Sequence, residues 1–211
     1  MNKNAVDFLR TREPKFAEHI DRIGLIELSA KSPDPFVGLI KSITYQQLAG
    51  AAAGAIWRRV RALFADQNPT AELLLLLSDE QLRAAGLSRG KTLAMREIAA
   101  KTMLGIVPDT DGISRMSEND IREQLTQIRG VGPWTVEMLL IFTLCRPDVM
   151  PATDYAIRKG IQVLYRKQSL PTPKQIEKLT SRWTPHRTTA ALYLWRIAEG
   201  AKPIRRKAAI S

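Results

Sequence analysis

Two helical patterns separated by Gly130-Val131-Gly132-Pro133 constrain this chain more than any other feature. Upstream, Ile121, Leu125 and Ile128 recur on one face; downstream, Val136, Leu139, Leu140 and Leu144 do the same around Thr143, so the second helix should be well buried. The two glycines permit a tight turn that side chains would block, and Pro133 suits the first turn of a helix. Such a turn aims backbone N–H groups outward at a helix N-terminus, which makes an anion site. It can approach a nucleic-acid backbone closely without reading its sequence. A Gly-x-Gly pair alone is an ordinary turn. Helices on both sides and Pro133-Trp134-Thr135 after it make the signal specific.

The remaining chain obeys the same period. No stretch alternates convincingly with period two. Phe36, Leu39, Ile40 and Ile43 follow the turn-like Ser32-Pro33-Asp34-Pro35, and the helical signal continues to about residue 64. Further helices are predicted at about 70–77, 79–85, 90–104, 117–128, 133–145, 155–166, 173–183 and 186–199. Thr70, Ser78 or Asp79, and Ser117 stand at helix starts, and Gly86, Gly105 and Gly200 at helix ends. The Leu73–Leu77 run reads as a buried helix segment, too short for a zipper. The expected class is all-α.

Composition narrows the function classes. Cys145 is the only cysteine among 211 residues, which excludes an internal disulfide, a four-cysteine zinc site and an iron–sulfur cluster. The N-terminal MNKNAVDFLRTREPK has no apolar signal-peptide core, and no apolar stretch is long enough to span a bilayer. These features predict an intracellular protein, in the cytoplasm or nucleoid if the source is bacterial, with no membrane partner. The net charge of +11 is uneven: residues 151–211 carry 13 basic against 3 acidic groups. A polyanionic partner accounts for this asymmetry. A solubilising surface or a basic tail of Lys202, Arg205, Arg206 and Lys207 accounts for it too.

Ile128-Arg-Gly-Val-Gly-Pro-Trp-Thr135 followed by Arg146-Pro-Asp-Val-Met-Pro-Ala-Thr-Asp154 resembles the helix-hairpin-helix (HhH-GPD) superfamily of DNA base-excision glycosylases, and within it the 3-methyladenine DNA glycosylase II group. Ile43-Thr-Tyr-Gln-Gln-Leu-Ala49, Arg182-Trp-Thr-Pro-His-Arg187 and Ala191-Leu-Tyr-Leu-Trp195 extend the likeness over about 36–200. The resemblance implies a bilobal helical fold with a DNA-facing cleft between the lobes. One lobe would be 35–146, with the hairpin at about 117–145. The other would combine 1–34 with 147–211 and carry the catalytic aspartate and the basic C-terminus. It implies a monomeric enzyme that everts damaged bases from duplex DNA and needs no cofactor for its chemistry.

The family assigns catalysis to the aspartate matching Asp154. A helix over 133–145 leads roughly 20 Å away from the hairpin at 1.5 Å per residue, and residues 147–153 can recover up to roughly 23 Å if extended. Asp154 can therefore return to the hairpin's mouth. There a fixed anion stabilises the positive charge that grows on the sugar as the base departs, and orients the attacking water. The residue-level alternative is a helix N-cap before Tyr155-Ala156-Ile157, and the two roles are compatible. Bifunctional relatives place a Schiff-base lysine where this chain has Trp134, and no lysine occurs between Lys101 and Lys159. A monofunctional glycosylase is implied.

Trp134 and Trp195 match aromatic pocket positions that stack on an alkylated, cationic purine. Met138 stands where relatives carry a pocket tyrosine, and Tyr45 is a further pocket candidate. Residues such as Tyr45, Trp57, Trp183 and Tyr193 are more often core aromatics than base contacts. Gln47, with Gln46 beside it, matches the wedge that fills the gap left by the everted base; an ordinary polar turn is the alternative. Gly130, Val131, Gly132 and Thr135 would hold phosphate, with Arg187 either a DNA contact or half of a structural salt bridge. His186 lacks a triad partner in sequence. The resemblance also implies an alkali cation, Na+ or K+, on the backbone carbonyls of Thr126, Ile128 and Val131. The competing functions are the same fold acting on etheno-adenine or on deaminated or mismatched bases, and a non-catalytic DNA-binding helix-hairpin-helix module.

Overall fold

The computed structural model describes residues 3–30, 34–48 and 50–200. Ala49 and the basic group Lys202, Arg205, Arg206 and Lys207 lie outside the described residues. Among the described residues there are α-helices and short 3-10 turns and no strand. They divide into two compact units, one made of the residues up to Ser29 with those from Cys145 onward, the other running from Ala30 to Leu144.

The first unit opens with α1 (Lys3–Arg12) and α2 (Phe16–Ile23). The second contains α3 (Pro35–Tyr45), α4 (Gly50–Arg61), α5 (Ala71–Leu76), α6 (Asp79–Ala84), α7 (Arg89–Met103), α8 (Thr110–Ser114), α9 (Glu118–Leu125) and α10 (Pro133–Phe142). The chain then completes the first unit with α11 (Tyr155–Leu164), α12 (Pro173–Thr180) and α13 (Arg187–Ala198). Local chemistry sets many of these boundaries. Thr70, Ser88 and Ser117 accept the N–H three residues on, and Ser78 and Thr172 form reciprocal capping boxes with Gln81 and Gln175.

In the second unit α3 is nearly engulfed, burying Phe36, Leu39, Ile40 and Ile43 among α4, α7 and α10. Helix α10 buries Val136, Met138, Leu139, Leu140 and Ile141, as expected of a helix apolar on most sides. One expectation needs correction. Leu73, Leu75 and Leu76 are exposed, Leu76 at 80%, because α5 is a six-residue surface helix that buries only Ala71 and Leu74. The helical signal running to residue 64 is carried by two helices, with Gln46 and Gln47 between them and Gln47 at φ 57.

The first unit packs α1 and α2 on the α11/α13 pair around Leu9, Phe16, Ile20, Ile157, Ile161, Trp183, Tyr193 and Leu194. Trp183 and Tyr193 are core aromatics, with Phe16 edge-on to Trp183 at 5.2 Å. Gly160 sets the α11/α13 spacing: a Cβ there would lie 2.4 Å from the Leu194 carbonyl oxygen. Buried Glu13 accepts hydrogen bonds from Tyr165 Oη and Arg182 Nη2, tying the α1–α2 junction to the C-terminal helices.

Candidate active site

Close packing of α11 on α13 positions the first group. Asp154 is the N-cap of α11, and its Oδ1 accepts the Ile157 N–H at 2.9 Å. The same oxygen accepts Trp195 Nε1–H at 3.1 Å. Trp195 follows Leu194, the residue against which Gly160 packs, so the helix contact that needs glycine also brings this indole to the carboxylate. Two donors on one oxygen fix the rotamer of a half-buried carboxylate. Asp154 is thus a helix cap held in one orientation. Trp195, half-buried, is its hydrogen-bond donor as well as a candidate stacking surface.

The segment leading to Asp154 is stapled to the start of α13. Arg187 grips Asp148 bidentately, Nε to Oδ1 at 2.8 Å and Nη2 to Oδ2 at 2.9 Å, and its backbone N–H adds a third bond to Oδ1. Thr188 Oγ1 donates to the Arg146 carbonyl at 2.7 Å and accepts the Val149 N–H at 2.9 Å. Of the two readings of Arg187, the geometry favours the structural salt bridge: its guanidinium is the partner of Asp148. His186 turns its ring edge onto Phe8 at 5.0 Å.

Burial pushes the Asp148 carboxyl upward, but the Arg187 hydrogen bonds outweigh it and hold the group below its ordinary 3.8. A depressed folded-state value stabilises the protein above that ordinary value. The contribution disappears as pH falls through the lower folded value. We expect Asp148→Asn to be less stable than the parent at neutral pH, with the difference shrinking on acidification below about pH 4. Paired thermal melts across that range check it; a pH-independent difference would contradict the ion pair.

The second group lies in the unit spanning Ala30 to Leu144. After α9 the chain turns through bonds from Ile128 N–H to the Leu125 carbonyl and from Val131 N–H to the Ile128 carbonyl. Gly130 sits at φ 85, and a Cβ there would meet Ala94 Cβ at 2.5 Å, so only glycine closes the turn onto α7. Gly132 is different. A Cβ there meets nothing within 4 Å. The Thr135 and Val136 N–H groups fold back onto the Gly132 carbonyl, whereas the Gly130 and Gly132 N–H groups have no acceptor among the described residues. Two uncommitted donors beside the N-terminus of α10 are the ingredients of an anion site.

Thr135 does not belong to that surface. It is 1% exposed, and its hydroxyl accepts Gln46 Nε2 at 2.9 Å. Gln46 also donates to the Gly130 carbonyl at 3.0 Å, which corrects its reading as a wedge: the amide is spent inside the protein. Gln47, by contrast, is exposed at the tip between α3 and α4, followed by Leu48 at 40% exposure. Trp134 and Tyr45 are half-buried, while Met138 and Trp57 are buried. Ile128 and Val131 are buried and Thr126 is exposed on the turn. A 590 Å³ hollow in this unit is lined by the capping residues Asp34, Thr70 and Asp109 and by none of the candidate residues.

Sequence reasoning missed Asp148 as the partner of Arg187, and Lys91, whose ammonium donates to the Thr44 and Gln46 carbonyls. Neither carries a local signal, since the partners lie far apart in sequence. Among the described residues no cluster of three His, Cys, Asp or Glu could hold a metal ion, and no helix is long and apolar enough to cross a membrane.

Comparison with known proteins finds relatives over most of the chain. DNA-3-methyladenine glycosylase 1 of Schizosaccharomyces pombe is 40% identical over 183 residues, covering 85% of this chain and 80% of that protein. The structure of the 3-methyladenine DNA glycosylase of that yeast in complex with abasic DNA superposes with a TM-score of 0.88 at 36% identity, covering 92% of this chain and 96% of that one. A DNA-3-methyladenine glycosidase from Bacillus halodurans gives a TM-score of 0.76 at 32% identity over 93% of this chain and 90% of its own. The family model for base excision DNA repair proteins matches residues 40–186, a span that takes in the Gln46–Gln47 turn, the glycine hairpin and Asp154. The chain belongs to the HhH-GPD superfamily of base excision DNA repair proteins.

Proposed function

We propose that this protein is a monofunctional DNA glycosylase that hydrolyses the N-glycosidic bond of alkylated purines, 3-methyladenine and 7-methylguanine, in duplex DNA. The observation that carries the reading is the Asp154 carboxylate, held by Ile157 N–H and Trp195 Nε1–H in a chain 40% identical to a 3-methyladenine glycosylase.

The chemistry follows from charge. Alkylation at a purine ring nitrogen leaves the base cationic, hence a good leaving group that needs little protonation. As the C1′–N bond breaks, the electron pair goes to the base and positive charge collects on the sugar. A carboxylate of fixed orientation beside C1′ stabilises that charge and draws the proton from the attacking water, whose oxygen ends on C1′. Trp195 and Trp134 offer indole faces to a cationic purine, an attraction of about 0.5–2 kcal/mol. No lysine falls between Lys101 and Lys159 to form a Schiff base, so water attacks and the strand is left intact at an abasic site.

Grip on DNA falls to the uncommitted Gly130 and Gly132 N–H groups and to the cationic C-terminal part of the chain. Gln47 is the residue that replaces the everted base. A Na+ or K+ ion would be held by the carbonyls of Thr126, Ile128 and Val131, of which the Ile128 oxygen already accepts the Val131 N–H within the turn. Neutral oxygen donors of this kind suit a hard monovalent cation, which would add positive charge beside the gripped phosphate. The enzyme acts as a monomer, and in a bacterium would work at the nucleoid.

Incubation with methylated duplex DNA, followed by chromatography of the freed bases, tests the reading. Release of 3-methyladenine and 7-methylguanine with an unbroken backbone is expected. Release of only etheno-adenine or deaminated bases would reassign the lesion, and no release would leave a DNA-binding module. Binding should also weaken steeply with salt, by about two orders of magnitude between 50 and 200 mM if about three or four phosphates are neutralised. A flat salt response, read by fluorescence anisotropy, would remove the phosphate grip from the account.

A further inference from the structure

Lys91 and Gln46 meet at the C-terminal end of α3. Lys91, in the first turn of α7, places Nζ 2.9 Å from the Thr44 carbonyl and 2.8 Å from the Gln46 carbonyl. These belong to the carbonyls a helix leaves unpaired at its end, where a cation also complements the helix dipole. Gln46 sends its side chain the other way, to the Gly130 carbonyl and the Thr135 hydroxyl. One ammonium and one amide thus join the end of α3, the start of α7 and both sides of the glycine hairpin. Resting on the function proposed above, we infer that Lys91 and Gln46 are positioning residues, a brace that holds the Tyr45–Leu48 turn in register with the hairpin so that Gln47 enters the duplex where the backbone is gripped.

Gln47 sets the need. It adopts φ 57, a left-handed conformation that a non-glycine residue keeps only where its surroundings over-determine it. Immediately before it, the Gln46 residue is held at both ends, its carbonyl by Lys91 and its amide by the hairpin. The brace is costly to build, since a half-buried ammonium has given up water, and burial pushes the Lys91 pKa below its ordinary 10.5. Lys91 is also kept from other work. With two of its three donors on carbonyls, it is neither a ready nucleophile nor a freely swinging phosphate contact. A wedge and a phosphate grip that move as one body convert binding energy into base extraction; a wedge on a loose turn does not.

Lys91→Met and Gln46→Met test the inference separately, with Lys91→Arg as the conservative rescue. Each is assayed for release of a methylated purine from paired duplex and from single-stranded DNA, where no base must be extracted. Both Met variants should lose about tenfold or more in kcat on the duplex and little on the single strand. Lys91→Arg should recover most of the loss, and the salt slope for undamaged duplex should stay at the parent's value. Equal loss on both substrates, or no loss on the duplex, overturns the brace. Because the variants alter different partners, misfolding of one, seen in a thermal melt, leaves the other to decide. A parent that releases no alkylated base removes the glycosylase reading, and the brace is then judged on 2-aminopurine placed beside an abasic-site analogue. A fluorescence rise with parent that Lys91→Met and Gln46→Met diminish supports the brace; an equal response, or none with parent, overturns it.

Discussion

Asp154→Asn should melt at the parent's temperature, bind abasic DNA nearly as well, and release alkylated purines on the order of 10²-fold more slowly or worse. The separation is expected because asparagine replaces the two roles of Asp154 unequally. As an N-cap it ranks with aspartate, and its oxygen can still accept the Ile157 and Trp195 N–H bonds that Oδ1 accepts now. What it lacks is the negative charge. Asp154→Ala should instead lose the cap as well, about 0.5–2 kcal/mol of stability, with activity no lower than in the asparagine variant. Trp195→Phe keeps a ring but removes the donor; a hydrogen bond to a charged group is worth about 1.5–3 kcal/mol, so a loss of about tenfold to a hundredfold is expected. Single-turnover release of 7-methylguanine and differential scanning calorimetry read the series. If Asp154→Asn keeps the parent's rate, the carboxylate is only a cap and the chemistry lies elsewhere.

What could be read from the chain alone divides by range. The cap at Asp154 and the glycine hairpin are local: a side chain reaching the N–H three residues on, and a turn whose donors belong to the backbone. Periodicity likewise located α3 through α13, apart from the five-residue α8, which presents too short a face to register. Helices α1 and α2 escaped for a similar reason. They are short and interrupted by Pro14, and they earn their stability only by covering the α11/α13 core. The partner of Arg187 and the role of Gln46 were not legible because the contacts are remote, Asp148 39 residues away and the hairpin more than 80. An exposed cation and a surface glutamine read the same in sequence whether they face solvent, phosphate or a carbonyl; only the tertiary contact decides. The same holds for the Trp195 donor, 41 residues from the carboxylate it orients.

The two hairpin glycines should answer substitution in opposite ways. At Gly130 an alanine must take a left-handed conformation, costing roughly 1–2 kcal/mol. Its Cβ must also displace Ala94, 2.5 Å away, which adds about 1–3 kcal/mol of overpacking. Gly130→Ala should therefore lower the melting temperature by several degrees or more, and DNA binding should fall with the fold. Gly132 has φ −95 and ψ 175, an extended geometry open to any residue, and space where its Cβ would stand. It is the N-cap of α10, and aspartate is a better cap than glycine as well as a favourable charge at a helix N-terminus. Gly132→Asp should consequently fold at least as stably as the parent. Yet it puts a carboxylate where the proposed phosphate must approach. Like charges brought together in this way cost several kcal/mol, so affinity for abasic duplex should fall on the order of 10²-fold or more. Protein self-interest leaves position 132 free to carry a side chain, and only a partner arriving from outside gives glycine an advantage there. A Gly132→Asp variant that is more stable and still binds DNA like the parent would show that phosphate is held somewhere other than this turn.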